Sequence, residues 1–261
     1  MQRRHFLRYT GASAIASLSF GLMGQSSQGQ TPGGSITIEW LGHSAFLFTG
    51  GGTRILVNPF RAIGCTKGYR LPKVKADLVL ISSQLWDEGA AENLPGNPKI
   101  LFESGVYEIK GLKIQGVSML HDRVNGNRFG TNIAWRWTQG GIRLVHLGGA
   151  ASAITDEQKI LLGRPDVGMI PVGGGPKNYD ALEAKAALEV LNPRIMIPTQ
   201  YATVAADKTQ CDLQTVKPFL DLVSGKNVGF ISGNQLVVKR ADLPKEGTLI
   251  RVFNERSVLK G

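Results

Sequence analysis

Apolar and polar residues alternate along Ser35-Ile36-Thr37-Ile38-Glu39-Trp40-Leu41, the period-two pattern of a strand with one buried face. Ser44 to Phe48, the turn Gly50-Gly51-Gly52 and Thr53 to Asn58 extend it as a hairpin. Leu78-Val79-Leu80-Ile81 is wholly apolar and short, which predicts a buried strand. It runs into the loop Ser82 to Gly89, and a helix-like run starts at Ala90. Further short strands are expected over 99–103, 106–109, 112–117, 132–137 and 142–146, each bounded by Gly or polar turn residues. Helical patterns then appear at 155–162, 180–191 and 215–223. Thr155-Asp156-Glu157-Gln158 is a capped start, and Pro193 stops the second helix, whose apolar positions are Leu182, Ala186, Val190 and Leu191. Strands at 167–172 and 194–198 flank that helix, and strands at 228–231, 235–239 and 248–253 close the chain. Two runs of strands, each followed by helices, predict an α/β (α+β) protein built as a four-layer αββα sandwich. No internal linker divides residues 35–254, so 31–261 is expected to be a single domain.

The first 30 residues change the picture of where the protein works. Met1 to Arg8 is basic, and Tyr9 to Gly24 is small and apolar, the layout of an export signal. Arg3-Arg4-x-Phe6-Leu7 resembles a twin-arginine signal, and Gln25 to Gly34 reads as a polar linker. The apolar run is shorter than the about 20 residues of a membrane span. Export to a periplasm is expected, or to a thylakoid lumen if the source is photosynthetic. Such a compartment permits a disulfide between the two cysteines, Cys65 and Cys211, which as free buried thiols would serve equally well.

At 42% hydrophobic and 19% charged residues, the chain is neither disordered nor fibrous. Without the leader's Arg3, Arg4 and Arg8, the net charge of +10 falls to +7. Lys and Arg are scattered rather than striped and lack interleaved aromatics, which argues against nucleic acid as a partner. A small anionic ligand, an unidentified protein partner or peripheral contact with an anionic membrane fits the basic balance better.

Several segments in order carry a family likeness. These are Trp40-Leu41-Gly42-His43-Ser44-Ala45-Phe46, Arg54 to Phe60, Ile81-Ser82, Leu120-His121-Asp122, Gly130-Thr131-Asn132, His146-Leu147-Gly148-Gly149, Ile170 to Gly174 and Ile197-Pro198-Thr199-Gln200-Tyr201. Together they resemble the metallo-β-lactamase fold, and within it the branch of ascorbate-6-phosphate lactonase. The resemblance implies hydrolysis by water activated between two metal ions, usually zinc, held by His and Asp. Carried over position by position, the His-x-His-x-Asp-His motif falls on Ser83, Leu85, Asp87 and Glu88. The third His of the first metal site is His121, the bridging Asp falls on Gly149, the final His on Gln200, and an Asp of the opening hairpin on Asn58.

The first metal position is thereby left with His121 alone, too few donors for zinc. The second keeps three oxygen donors, Asp87, Glu88 and Gln200, a set suited to Ca²⁺, Mg²⁺ or Mn²⁺. The structural alternative has Asp87 capping a following helix, Glu88 solvated and Gln200 hydrogen-bonded in a filled pocket. His43 is a candidate general base, and His121-Asp122 a base with its orienter, whereas His146, ending an apolar strand, reads as a core residue. No Gly-x-Ser-x-Gly elbow supplies a serine nucleophile. The expectation is therefore an exported protein with most zinc ligands replaced, serving as a non-catalytic binding or assembly protein. The alternative is a lactonase- or esterase-like hydrolase using one hard cation, or none, with His43, His121 and Asp87 as catalytic residues. A two-zinc site is not expected, nor is any cofactor on the first reading.

Overall fold

The alternation that begins at Ser35 builds strand β1 (Ser35–Gly42), whose Ile36, Ile38 and Trp40 are buried while Thr37 and Glu39 are half-exposed. The computed structural model describes residues 34–260, so the leader and most of the linker lie outside the described residues. β1 turns back through His43-Ser44 into β2 (Ala45–Gly50), and Gly51-Gly52 closes the hairpin with β3 (Thr53–Val57). β4 (Leu78–Leu80) and β5 (Lys99–Leu101) then add in parallel to β3. With β13 (Gln235–Lys239) antiparallel to β1, the first sheet has six strands in the order β13-β1-β2-β3-β4-β5.

The second sheet contains β6 (Gly105–Ile109), β7 (Leu112–Leu120), β8 (Thr131–Gln139), β9 (Ile142–His146), β10 (Val167–Pro171), β11 (Ile195–Thr199), β12 (Asn227–Ile231) and β14 (Leu249–Phe253). Its order is β12-β14-β11-β10-β9-β8-β7-β6, antiparallel across β6 to β9 and parallel from β9 onward. Three helices connect these strands: α1 (Asp156–Leu162), α2 (Ala181–Leu191) and α3 (Lys217–Leu222). α1 starts on the expected capping box of Thr155 and Gln158, and Asp180 caps α2 by accepting from Leu182 and Glu183 N–H.

Two apolar layers result. The first joins both sheets through Phe46, Phe48, Trp135, Trp137 and Phe253, with Phe48 edge-on to Trp137 at 4.9 Å. The second lies under the helices, where Ala184, Ala187, Leu188 and Leu191 of α2 meet Val145, Ile170 and Met196. The stripe of α2 is therefore only partly the expected one: Leu191 is buried, but Leu182 and Ala186 stay exposed while Ala184, Ala187 and Leu188 face inward. The backbone approaches more closely at alanine, and the helix settles on its small-residue face.

The helix-like run from Ala90 forms no helix. Residues 58–77 and 83–98 are loops and one 3-10 turn, Gly64–Thr66, and they join the buried cluster through Phe60, Tyr69, Ala76 and Leu94. Asn93 and Asn97 adopt left-handed backbone and Pro95 lies between them, so the helical ladder cannot propagate. The two-sheet α/β architecture stands as expected, with its helices few and gathered on the second sheet.

Cys65 and Cys211 form a disulfide between loops 146 residues apart, with 4.6 Å between their Cα atoms. The same two loops are zipped by Gly68 N–H on Ala205 carbonyl at 2.8 Å and by a Lys67–Asp207 ion pair at 2.6 Å. Cross-linking so long a segment restricts the unfolded chain strongly. Replacing both cysteines by serine is expected to cost on the order of 2–5 kcal/mol in denaturant unfolding. A loss below about 0.5 kcal/mol would show that the backbone and ion-pair contacts alone hold these loops.

Candidate functional site

Strand direction decides where chemistry collects. β1, β3 and β4 run the same way in the first sheet, and β7, β9, β10 and β11 share a direction in the second. Their carboxyl ends deliver His43, Asn58, the Ser82–Gly89 loop, His121, Gly148-Gly149, Lys177 and Gln200 to one end of the sandwich. His43 (φ 53°), Asn58 (φ 50°) and Gln200 (φ 51°) all have left-handed backbone there, an uncommon conformation for residues other than glycine.

Glu88 is the hub. It is fully buried, against the expectation of a solvated side chain. Ser83 donates its hydroxyl to Glu88 Oε2 at 2.7 Å, and Gln200 donates through Nε2 to Oε1. His121, also fully buried, places Nε2 3.6 Å from Glu88 Oε2. The other nitrogen, Nδ1, is hydrogen-bonded to the Gly149 carbonyl. A carbonyl can only accept, so Nδ1 carries the proton. In the neutral ring, Nε2 then turns a lone pair toward a carboxylate that is itself acceptor-only. Nε2 has no hydrogen-bond partner, and neither does the buried Gln200 Oε1. The contact between His121 Nε2 and Glu88 Oε2 calls for positive charge between the two atoms, a proton or a cation.

The second cluster adjoins the first through the chain. Asp87 neither begins a helix nor caps one; its Oδ2 is hydrogen-bonded by the Lys177 ammonium and lies 3.7 Å from His43 Nε2. Burial pushes the Asp87 carboxyl up, but His43 and the Lys177 charge outweigh it and hold the group well below the usual carboxylate range. His43 is buried with neither ring nitrogen in a hydrogen bond, and its carbonyl accepts from Trp40 Nε1 at 3.1 Å.

Asp122 does not orient His121. Its two carboxylate oxygens accept four backbone N–H bonds, from Val124, Gly126, Arg128 and Phe129, at 2.7–2.9 Å. Burial pushes this carboxyl up, yet the four donors hold it down to about 2. Asp122 thus moulds the 123–129 loop that follows His121. Asn58 Oδ1 accepts from Ser82 N–H at 2.8 Å and fixes the start of the Glu88 loop. His146 is the satisfied core residue expected from its strand: Nδ1 accepts from Gly148 N–H and Nε2 donates to Ser44 carbonyl, both at 3.0 Å.

Two contributors were not evident from the sequence. Lys177 sits in a Gly-Gly-Gly-Pro-Lys turn with no local signal, 90 residues from its partner Asp87. Asn132, at the start of β8, accepts from Gly149 N–H at 2.9 Å and donates to Leu147 carbonyl at 2.7 Å, setting the turn that faces His121. A Cβ on Gly149 would collide with His121 Cε1 and stand 2.9 Å from Glu88 Oε1. The missing side chain is what lets His and Glu meet.

Two facing sheets with their strand ends gathered around buried His, Glu and Gln side chains define a protein of the metallo-β-lactamase fold. Residues 37–200 match the Beta-lactamase superfamily domain, and the chain belongs to that family. It is 29% identical over 205 residues to a UPF0173 metal-dependent hydrolase of Thermococcus onnurineus, covering 66% of this chain and 88% of the relative. A UPF0173 metal-dependent hydrolase of Thermus thermophilus is 28% identical over 195 residues, covering 64% and 84%. A Thermotoga maritima crystal structure assigned to the metallo-β-lactamase superfamily superposes with TM-score 0.65 at 28% identity, over 84% of this chain and all of the other.

These relatives overturn the expectation of a non-catalytic binding or assembly protein, because chains matched over 84% and 88% of their own length are named metal-dependent hydrolases. They favour the hydrolase alternative. The residues present do not fit a pair of zinc ions: Lys177 occupies Asp87, Leu85 offers no donor, and Gly149 has no side chain. Among the described residues no group of three or more His, Cys, Asp or Glu is placed to hold a metal ion. A single cation would be held by His121 Nε2 and the Glu88 carboxylate, with Gln200 offering Oε1 once its amide turns over.

Gly149→Ala is expected to lower stability by about 1–3 kcal/mol, as overpacking does. The same change made on a His121→Ala background should cost much less, and equal costs in both backgrounds would show that the His121 contact is not the cause. Burial lowers the pKa of His146 from its ordinary 6.5 to about 4. The unfolded chain therefore binds the proton first as pH falls. Stability present above pH 6.5 should drop by about 3 kcal/mol on acidification toward pH 4. Urea unfolding across that window should lose this component in His146→Gln.

Proposed function

We propose that this protein is a hydrolase of ester or lactone bonds working with a single divalent cation. The observation that carries the reading is the His121 Nε2 lone pair facing the buried Glu88 carboxylate with no hydrogen between them. An unmet buried acceptor costs about 1–3 kcal/mol, so two beside a buried anion imply a resident positive charge. Glu88, His121 and Gln200 would hold it, and an oxygen-rich set of this kind suits Mn²⁺, Mg²⁺ or Ca²⁺. Once bound, the cation would supply water activation near neutral pH.

The chain's own residues supply the rest. His43 takes a proton from the attacking water and returns it to the leaving alkoxide oxygen, so that ester and water become acid and alcohol. Asp87 stabilises the imidazolium formed in between, and Lys177 keeps that carboxylate ionised and in place. Burial of His43 excludes bulk water from this exchange. Ser83 orients Glu88 as a supporting hydrogen-bond donor. The Cys65–Cys211 disulfide accords with an oxidising compartment and with the twin-arginine reading of the leader, so we place the enzyme outside the cytoplasm.

Metal-free protein titrated with Mn²⁺ should take up one ion per chain and gain activity toward a panel of carboxylic esters and lactones. Glu88→Gln and Gln200→Ala should each weaken that uptake roughly 10–100-fold, while His43→Gln should leave uptake intact and remove turnover. Two zinc ions per chain would sink the single-cation reading, and undiminished hydrolysis in His43→Gln would remove the assigned base.

A further inference from the structure

A cleft of about 470 Å³ opens beside Asp87 and Lys177, within the usual size of a small-molecule site. Its walls are apolar: Leu85, Trp86, Phe129 and Leu213. Trp86 is 58% exposed, an unusual setting for a large aromatic, and the Arg61 guanidinium holds its ring from one side at 5.1 Å. The charged side chains lining the cleft are Lys177 and Arg128 against Asp87 and Asp212, two of each sign, and Arg61 behind Trp86 is paired with Glu92 at 2.5 Å. Such a lining gives an anionic ligand as much repulsion as attraction. Lys177 Nζ has three N–H donors and one acceptor among the described residues, Asp87, so two donors are unspent at the polar end of the cleft.

We propose that this cleft binds neutral, apolar-bodied acyl esters or lactones, with Lys177 receiving the carbonyl oxygen. The proposal rests on the hydrolase reading and names its substrate class. The apolar body lies between Trp86, Leu85, Phe129 and Leu213, burying hydrocarbon against hydrocarbon. The carbonyl oxygen takes a charge-assisted hydrogen bond from the Lys177 ammonium, which grows stronger as negative charge develops on that oxygen during attack. Asp87 fixes the ammonium in place, and the same carboxylate lies beside His43, so the electrophilic and basic groups are set by one side chain. A phosphorylated sugar lactone, polar throughout and doubly charged, is a poor match for these walls and this charge balance.

Trp86 provides a binding signal independent of turnover, because Trp40, Trp135 and Trp137 are buried. The full chain would be titrated with γ-nonalactone, with a phosphorylated sugar lactone, and with propylbenzene as a carbonyl-free apolar control, following tryptophan emission. A saturable change with γ-nonalactone is expected, absent in Trp86→Phe. Lys177→Met should weaken lactone binding about 10-fold or more, leave propylbenzene unchanged, and be partly rescued by Lys177→Arg. Tighter binding of the phosphorylated lactone, or equal lactone affinity in wild type and Lys177→Met, would overturn the proposal. Binding as described without hydrolysis would defeat the hydrolase reading alone. Hydrolysis of other esters with no change in emission on adding γ-nonalactone would defeat the substrate assignment alone.

Discussion

The site depends on one buried carboxylate. Glu88 lies where the two sheets meet at their strand ends, without solvent, and an ionised group there is tolerated only if every neighbour answers it. Ser83 answers from its own loop and Gln200 from the far sheet, while His121, from a third strand end, faces the carboxylate with an unpartnered Nε2. Those partners in turn constrain the backbone. Gln200 is held in the left-handed region, and Gly149 must lack a side chain so that the imidazole fits. Conformational strain and a missing Cβ are thus consequences of satisfying a single charge.

Around this hub the architecture works as a frame. Parallel neighbours in each sheet send their carboxyl ends the same way, so unrelated segments of sequence arrive at one place. Secondary fastenings keep the arrivals fixed: Asn58 on Ser82, Asn132 on the Leu147–Gly149 turn, and the four backbone donors on Asp122. Each is a short polar side chain tying a loop rather than touching a substrate. The disulfide closes the rim on the side of the cleft that carries Cys65.

The adjacent residues Asp87 and Glu88 divide two tasks between them. Glu88 faces inward to His121 and Gln200, whereas Asp87 faces Lys177 and His43 at the cleft. Asp87 already carries an ammonium, whereas at the inner position the unmet lone pair of His121 Nε2 faces the Glu88 carboxylate. Adjacent carboxylates thus meet different partners, an imidazole and an amide on one side and a fixed ammonium on the other.

Much of the framework was legible in the residues. Period-two alternation marked β1, the Gly50-Gly51-Gly52 turn marked the hairpin of β2 and β3, the capping box of Thr155 and Gln158 marked α1, and Asp180 with Pro193 bracketed α2, because these signals act between near neighbours in the chain. The ordered landmarks from Trp40 to Tyr201 pointed to the family, and His43, Asp87, Glu88, His121 and Gln200 were all candidates before any contact was known. Their roles were not legible. Whether Glu88 meets water or imidazole, whether Asp122 turns to His121 or to the following loop, and which lysine neutralises Asp87 are settled by residues far apart in sequence. The sequence alone thus determined the strands, the family and the site's cast, since local periodicity and side-chain type suffice for those. Only the tertiary structure decided who faces whom, because burial and charge pairing arise from the meeting of two sheets and exist in no single stretch of chain.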